Sequence, residues 1–208
     1  MIPSENYINK KKIFIFDLDG VLINSKKNME NSWLVVRKKF LIKKTFKDYE
    51  KFIGLKFLEI LQKLKIKKDT KKIEKEYKLQ SIKNINLITL KPNAKIFLNY
   101  LRKKGKKIAL LTSKDTTRTK ILLKKFNLRF DKICTPNKFF PGKPNPRQIN
   151  SIIKRFKIDR KNAVYIGDMK SDLLTSKNGK IDFIFVSTGF TRDMNCKYKI
   201  RNFSDIIY

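Results

Sequence analysis

Asp17-Leu18-Asp19-Gly20 directly follows the apolar run Ile13-Phe14-Ile15-Phe16, and the reading of this junction decides the fold. Four consecutive apolar residues without alternation predict a strand buried on both faces. Asp and Gly are ordinary turn formers, so the junction taken alone is equally a plain turn. Two carboxylates two residues apart at the end of a core strand are costly, however. At about 4 Å, two like charges repel by roughly 4 kcal/mol at an effective dielectric near 20, unless a cation or a shared proton relieves them. A hard divalent cation such as Mg²⁺, which takes oxygen ligands, meets that need.

Outward from the junction, residues 108–111, 163–166 and 183–186 are further apolar runs of the same unalternated kind, and Ile133-Cys134 is a short fifth. Residues at helical spacing lie between them: Ile96, Phe97, Tyr100 and Leu101; Ile121, Leu122 and Phe126; Ile149, Ile152, Ile153 and Phe156. Alternating strands and helices predict an α/β fold with a doubly wound, mostly parallel sheet. The gap between the first two strands is too long for one crossover helix. It carries its own stripes: Trp33, Val36 and Phe40, then Phe57, Leu58, Leu61 and Leu64, then Ile73 and Tyr77. Gly54 and Asp69 are the breaks, Asp69 as an N-cap. The expected organisation is a helical domain over residues 25–87 inserted into an α/β core made of residues 1–24 and 88–208. Met and aromatic residues of the insert are expected in its core.

Lys and Arg number 51 against 18 Asp and Glu, a formal charge of +33. That balance invites a nucleic-acid partner. The lysines are scattered along the chain among Ile, Phe and Leu rather than gathered in a tail, with Asn abundant and Ala and Gly scarce, the bias of A+T-rich coding. Either way, the positive field attracts small anions, phosphate esters included. The two cysteines, Cys134 and Cys196, have no metal-ligand spacing and make no disulfide framework. The chain has no His, which excludes Ser-His-Asp, Cys-His and His-metal chemistry. With no apolar stretch of membrane-spanning length and no signal-peptide core, a cytoplasmic protein with no membrane partner is expected.

In open α/β sheets, ligands bind outside the carboxyl ends of the strands. Here those ends carry Asp17 and Asp19, then Thr112-Ser113-Lys114, then Gly167-Asp168 followed by Asp172; Lys143 lies in the loop Gly142-Lys143-Pro144-Asn145-Pro146 ahead of a helix. Four carboxylates, a hydroxyl and a lysine are thereby predicted to meet at one sheet edge. Taken singly, each has a plainer reading. Asp172 caps a helix, Lys143 is one more surface lysine, Gly167-Asp168 is a turn, and Lys114 is solvated.

Taken in order, these residues resemble the haloacid dehalogenase-like phosphohydrolase superfamily over essentially the whole chain. Asp17-Leu18-Asp19-Gly20-Val21-Leu22 matches its first motif, Thr112 its second, Lys143 its third, and Gly167-Asp168 with Asp172 its fourth. The helical insert resembles the type C1 cap, and the pattern is nearest to phosphoglycolate phosphatase and β-phosphoglucomutase-like members. The resemblance implies a Mg²⁺-dependent phosphomonoesterase acting on a small phosphorylated metabolite. Asp17 is then the nucleophile that forms an aspartyl-phosphate, and Asp19 the acid and base. Thr112, Ser113 and Lys143 hold phosphate. Asp17, Asp168, the backbone carbonyl of Asp19 and, directly or through its water, Asp172 hold Mg²⁺; Asp172 alternatively orients Lys143.

Phe52-Ile53-Gly54-Leu55-Lys56 resembles the cap loop that faces the active site, so Gly54 and Lys56 are candidate substrate contacts. Mutase-type members place an Arg shortly after that Gly, where this chain has Phe57; the departure favours hydrolysis. Two other readings stand beside this one: a phosphatase of nucleotides or nucleic-acid ends, and a non-catalytic binding module on the same scaffold. A monomer or a homodimer is expected.

Overall fold

A computed structural model describes residues 1–137 and 141–207. In chain order the strands are β1 (Ile13–Phe16), β2 (Ile23–Asn24), β3 (Thr89–Leu90), β4 (Lys107–Leu111), β5 (Lys132–Cys134), β6 (Ala163–Gly167), β7 (Asp182–Val186) and β8 (Tyr198–Ile200). The helices are α1 (Glu5–Lys10), α2 (Lys26–Lys39), α3 (Phe46–Glu50), α4 (Phe57–Lys63), α5 (Thr70–Lys83), α6 (Ala94–Lys103), α7 (Thr116–Lys125), α8 (Arg147–Phe156), α9 (Lys170–Asn178) and α10 (Ser204–Ile207).

The main sheet has six strands in the order β5-β4-β1-β6-β7-β8, and every pairing in it is parallel. β1 lies inside it, with Phe14 opposite Ile108 on one side and Val164 on the other. Both faces are covered, which is why the strand runs carry no polar alternation. Phe14, Phe16, Ile108, Leu110, Val164 and Ile166 pack with Phe97 and Leu101 of α6 and Leu122 of α7. Ile13, Ile15, Ala109, Leu111 and Tyr165 point the other way, onto Ile149 and Ile152 of α8. The predicted doubly wound parallel sheet is therefore present.

Helices α2 to α5 build a third cluster around Trp33, Val36, Tyr49, Phe57, Leu61, Ile73 and Tyr77. Its aromatic rings are in contact: Trp33 and Tyr49 at 4.8 Å between centroids, Phe57 and Tyr77 at 4.4 Å. The Tyr49 hydroxyl donates to that of Tyr77 at 3.0 Å, so two buried polar tips satisfy each other. The antiparallel ribbon β2–β3, with Ile23 opposite Leu90, stands where the chain leaves the sheet for these helices and returns.

Three expectations fail in detail. Ile96 is 51% exposed, and the buried face of α6 is Ala94, Phe97, Leu98 and Leu101. Leu58 is likewise 39% exposed, with Phe57, Ile60, Leu61 and Leu64 inward. In both helices the i, i+3, i+4, i+7 set is the one that packs, and the misassigned residue sits one step off it. Asp69 stands at the N-cap position of α5 but has φ +52° and makes no side-chain capping bond; its carboxylate pairs with Lys72 at 3.0 Å instead. The two-residue strands, β8 and α1 had no sequence signal because they are too short to show a period. No helix among the described residues is long and apolar enough to cross a membrane.

Candidate active site

Strand β1 ends by delivering Asp17 to the carboxyl edge of the sheet, where its backbone N–H donates to the Ile166 carbonyl at 3.0 Å. Both neighbours of β1 end at the same edge, so Thr112 after β4 and Asp168 after β6 flank Asp17. Gly20 turns the chain back with φ +83°. A Cβ there would collide with Asp168 Oδ2, so this turn needs a glycine for both conformation and space.

Lys143 is 2% exposed and is not a surface lysine. Its ammonium donates to Asp17 Oδ1 and to Asp172 Oδ1, each at 2.6 Å. Asp172 Oδ1 also accepts from the Tyr165 hydroxyl at 3.0 Å, and its Oδ2 accepts from the backbone N–H groups of Asp168 at 3.1 Å and Met169 at 3.0 Å. Asp172 thus caps the start of α9 and anchors Lys143 with one carboxylate. Asp168 Oδ2 accepts from the Phe190 N–H at 2.6 Å, whereas its Oδ1 is buried without a partner.

Asp17, Asp168 and Asp172 each offer an oxygen within 4.8 Å of the others. Three buried carboxylates face one buried ammonium, and the electrostatics show the imbalance. Burial is the largest cause pushing the Asp17 pKa up to about 7; the Asp172 and Asp19 charges add to it and Lys143 opposes it. Asp168 is pushed well above the usual carboxylate range by burial and by Asp172 and Asp17. Burial pulls Lys143 down, but the two carboxylates it touches outweigh that and raise it. An all-oxygen donor set with surplus negative charge and one orphaned, buried carboxylate oxygen fits a hard divalent cation of the Mg²⁺ type.

Asp19 is held apart from this cluster. Its Oδ1 accepts from the Ser25 hydroxyl at 2.6 Å, and its Oδ2 lies 3.2 Å from the ammonium of Lys114. Lys114 is 6% exposed, so the solvated reading does not hold. Burial lowers its pKa, with Asp19 opposing.

Beside these groups is a cavity of about 220 Å³ lined by Asp17, Asp19, Thr112, Ser113, Gly54 and Lys56, among others. Thr112 Oγ1 accepts from the Lys114 N–H at 3.2 Å. The Ser113 hydroxyl donates to the Gly54 carbonyl at 2.5 Å, tying the insert to the sheet edge. Gly54 has φ +97°, and a Cβ there would lie 2.6 Å from Ser171 Oγ. Lys56 packs its stem over Gly142 and reaches Glu59 only at 3.9 Å.

The structure therefore brings Asp17, Asp19, Thr112, Ser113, Lys143, Asp168 and Asp172 together, with Gly54 and Lys56 on the cavity wall. Sequence reasoning missed Ser25, Tyr165, the Phe190 N–H and Arg118. Tyr165 was hidden inside an apolar strand, and Arg118 among many other basic residues. Ser25 was hidden too, because the two-residue β2 before it shows no period. The Met and aromatic residues of the insert are in its core as expected, but Met29, Tyr49, Phe57 and Tyr77 also line the cavity.

A family model described as "Haloacid dehalogenase-like hydrolase" matches residues 14–186. The chain is 26% identical over 171 residues to "Phosphoglycolate phosphatase" of Aquifex aeolicus, covering 80% of each chain. It is 26% identical over 168 residues to "Pyrophosphatase PpaX" of Bacillus velezensis, covering 79% of this chain and 77% of that one. The match to "Phosphoglycolate phosphatase" of Pasteurella multocida, also 26% identical, runs over 107 residues and spans about half of each protein, 50% of this chain and 48% of that one. Among solved structures, a predicted phosphoglycolate phosphatase from Haemophilus somnus superposes with a TM-score of 0.86 at 21% identity, covering 95% of this chain and 97% of that chain. At that identity the superposition speaks to the fold alone.

Proposed function

The chain belongs to the haloacid dehalogenase-like hydrolase family, and from that premise we propose that it is a Mg²⁺-dependent phosphomonoester hydrolase acting on a small phosphorylated metabolite. The observation that carries this reading is the Lys143 ammonium bridging Asp17 and Asp172 beside the orphaned Asp168 oxygen. The names of the relatives, phosphoglycolate phosphatase and pyrophosphatase, point to compact phosphoryl substrates. In this reading residues 25–87 form a cap over the core, and the protein works in the cytoplasm.

Asp17 attacks phosphorus through a carboxylate oxygen, the P–O bond to the substrate oxygen breaks, and Asp19 gives that oxygen its proton. The product alcohol leaves and an aspartyl-phosphate remains on Asp17. Asp19 then takes a proton from water as the water attacks phosphorus, which releases phosphate and restores both carboxyl groups. Thr112, the Ser113 backbone and Lys143 bind the phosphoryl oxygens and offset their developing charge. Asp17, Asp168 and the Asp19 carbonyl would hold Mg²⁺, which supplies charge stabilisation to a phosphoryl group facing an anionic nucleophile. Asp172 orients Lys143 and the β6–α9 turn, since four donors already engage its two oxygens. The Ser25 and Lys114 contacts hold the Asp19 carboxyl in place apart from the metal cluster.

A phosphate-release screen over several dozen phosphomonoesters with Mg²⁺ tests the reading, with Asp17→Asn as control. Release from at least one small ester, lost in Asp17→Asn, is expected. No release above the Asp17→Asn background from any ester would refute it.

A further inference from the structure

Arg118 is a buried cation that the chemistry above does not use. It is 8% exposed in the first turn of α7, four residues beyond Lys114, and it lines the same cavity as Asp17 and Asp19. Its Nε donates to Asp115 Oδ2 at 2.6 Å. Its guanidinium carbon lies 5.4 Å from the centre of the Tyr77 ring, on a helix of the insert. Asp115 engages Nε and the Tyr77 hydroxyl also hydrogen-bonds the guanidinium, but no carboxylate among the described residues takes up the two terminal nitrogens. A guanidinium carries five donors in a fixed fork that matches carboxylate or phosphate oxygens two at a time. Burying such a group is costly unless its donors are served, and Asp115 by itself satisfies the helix-capping need.

The rest of the cavity wall sharpens the point. Met29, Ile53, Phe57 and Met169 give it an apolar side, which offers no other partner for a charged ligand group. Lys114 is held by Asp19, Lys78 by Glu74 at 2.7 Å, and Lys56 lies near Glu59. The volume of about 220 Å³ falls below the roughly 300–1,000 Å³ typical of drug-sized ligand sites. A cavity of that size admits a short substrate, and Asp17 and Arg118 both line it.

We propose that Arg118 determines substrate choice by pairing, through its terminal nitrogens, with a second anionic group at the far end of a short phosphoryl substrate. This rests on the phosphomonoesterase reading above. The second group is a carboxylate or a second phosphoryl group, and the same fork serves either.

The test uses three substrates with the Mg²⁺-loaded full chain. Phosphoglycolate and ethyl phosphate differ by one carboxylate in place of a methyl, and pyrophosphate carries a second phosphoryl group. Wild type is expected to favour one of the two charged substrates over ethyl phosphate by at least about tenfold in kcat/KM, and the favoured one identifies the group. Arg118→Met is expected to cut that preference by roughly 10- to 100-fold, the scale of a lost charge-assisted pair, with the loss in KM rather than kcat. Arg118→Lys keeps the charge without the fork and is expected to fall between; it also carries the test if Arg118→Met does not fold. Preference ratios that stay at the wild-type value in a folded variant, or a wild type with no preference for charge, would overturn this inference alone. Release of phosphate from none of the three, with release from another ester of the broad screen, would overturn this inference alone; no release from any ester of that screen would overturn the phosphomonoesterase reading with it.

Discussion

Replacing Lys143 by Met removes the ammonium that bridges Asp17 and Asp172 while keeping a side chain of similar length. Both of its 2.6 Å bonds go to carboxylates that are 4% and 0% exposed, so water cannot take over. Breaking a buried ion pair by removing one partner costs about 3–5 kcal/mol, because the remaining charge is left uncompensated. In a chain of this size each kcal/mol moves Tm by about 2–4 °C, so a drop of roughly 6–20 °C is expected in EDTA. Adding Asp172→Asn should recover part of the loss. It removes one of the stranded charges, and an amide oxygen still accepts from the Asp168 and Met169 N–H groups. Calorimetry and urea unfolding of wild type, the single variant and the double variant would measure this. A single variant within about 1 kcal/mol of wild type, or a double variant less stable than Lys143→Met, would refute the charge accounting.

Other consequences are open to simpler measurements. Asp17 takes up a proton in the folded protein up to about pH 7, whereas its ordinary value is 3.8. Its contribution is therefore present below that ordinary value and lost as pH rises toward 7, by up to about 1.4 kcal/mol per pH unit for one proton; the urea midpoint in EDTA should fall between pH 5 and pH 7.5, and saturating Mg²⁺ should flatten that fall. Gly20→Ala forces a Cβ onto Asp168 Oδ2 at φ +83°, so wild type is expected to rise in Tm with Mg²⁺ and the variant is not, which a thermal titration reads directly. Tyr165→Phe removes a hydroxyl that donates to Asp172 Oδ1 and lies 3.2 Å from the Leu111 carbonyl; a stability loss of about 1–2 kcal/mol and a roughly tenfold fall in kcat with KM little changed are expected from denaturation and steady-state assays. Ser25→Ala frees Asp19 Oδ1 from its 2.6 Å bond, and single-turnover kinetics should show the larger loss for esters whose leaving alcohol has a high pKa.

The sheet was legible because it rests on strong local signals. A strand covered on both faces leaves an unbroken apolar run, and Ile13–Phe16 is such a run. The acids were legible for the opposite reason, as charges placed where a core strand stops. Helix faces were less so: Ile96 and Leu58 are apolar and adjacent to the true stripes, and a single-residue offset cannot be told from composition. Asp69 was read as a cap by residue type, whereas its left-handed backbone turns the carboxylate away from the helix N–H groups. The second layer of the site depends on distance in space. Tyr165 beneath Lys143 and Arg118 against Tyr77 bring together residues whose separation in the chain carries no pattern, and the shared wall of a cavity is what groups them.

Placing Asp17 after an interior strand has a consequence for the chain while it is being made. β1 needs residues 107–110 on one flank and 163–166 on the other. At about 5–20 residues per second, the roughly 150 residues between the first strand and the last of these take about 8–30 s to synthesise. Until residues 107–110 are made Ile13-Phe14-Ile15-Phe16 is an unpaired, strongly β-prone segment of the kind that adheres to other nascent chains, and one flank stays open until 163–166 follow. Lys10, Lys11 and Lys12 stand on one side of it and Asp17 and Asp19 on the other, and flanking charges of this kind act as gatekeepers against such adhesion. The carboxylates that crowd one edge of the finished sheet thereby guard the unfinished polypeptide from its own copies.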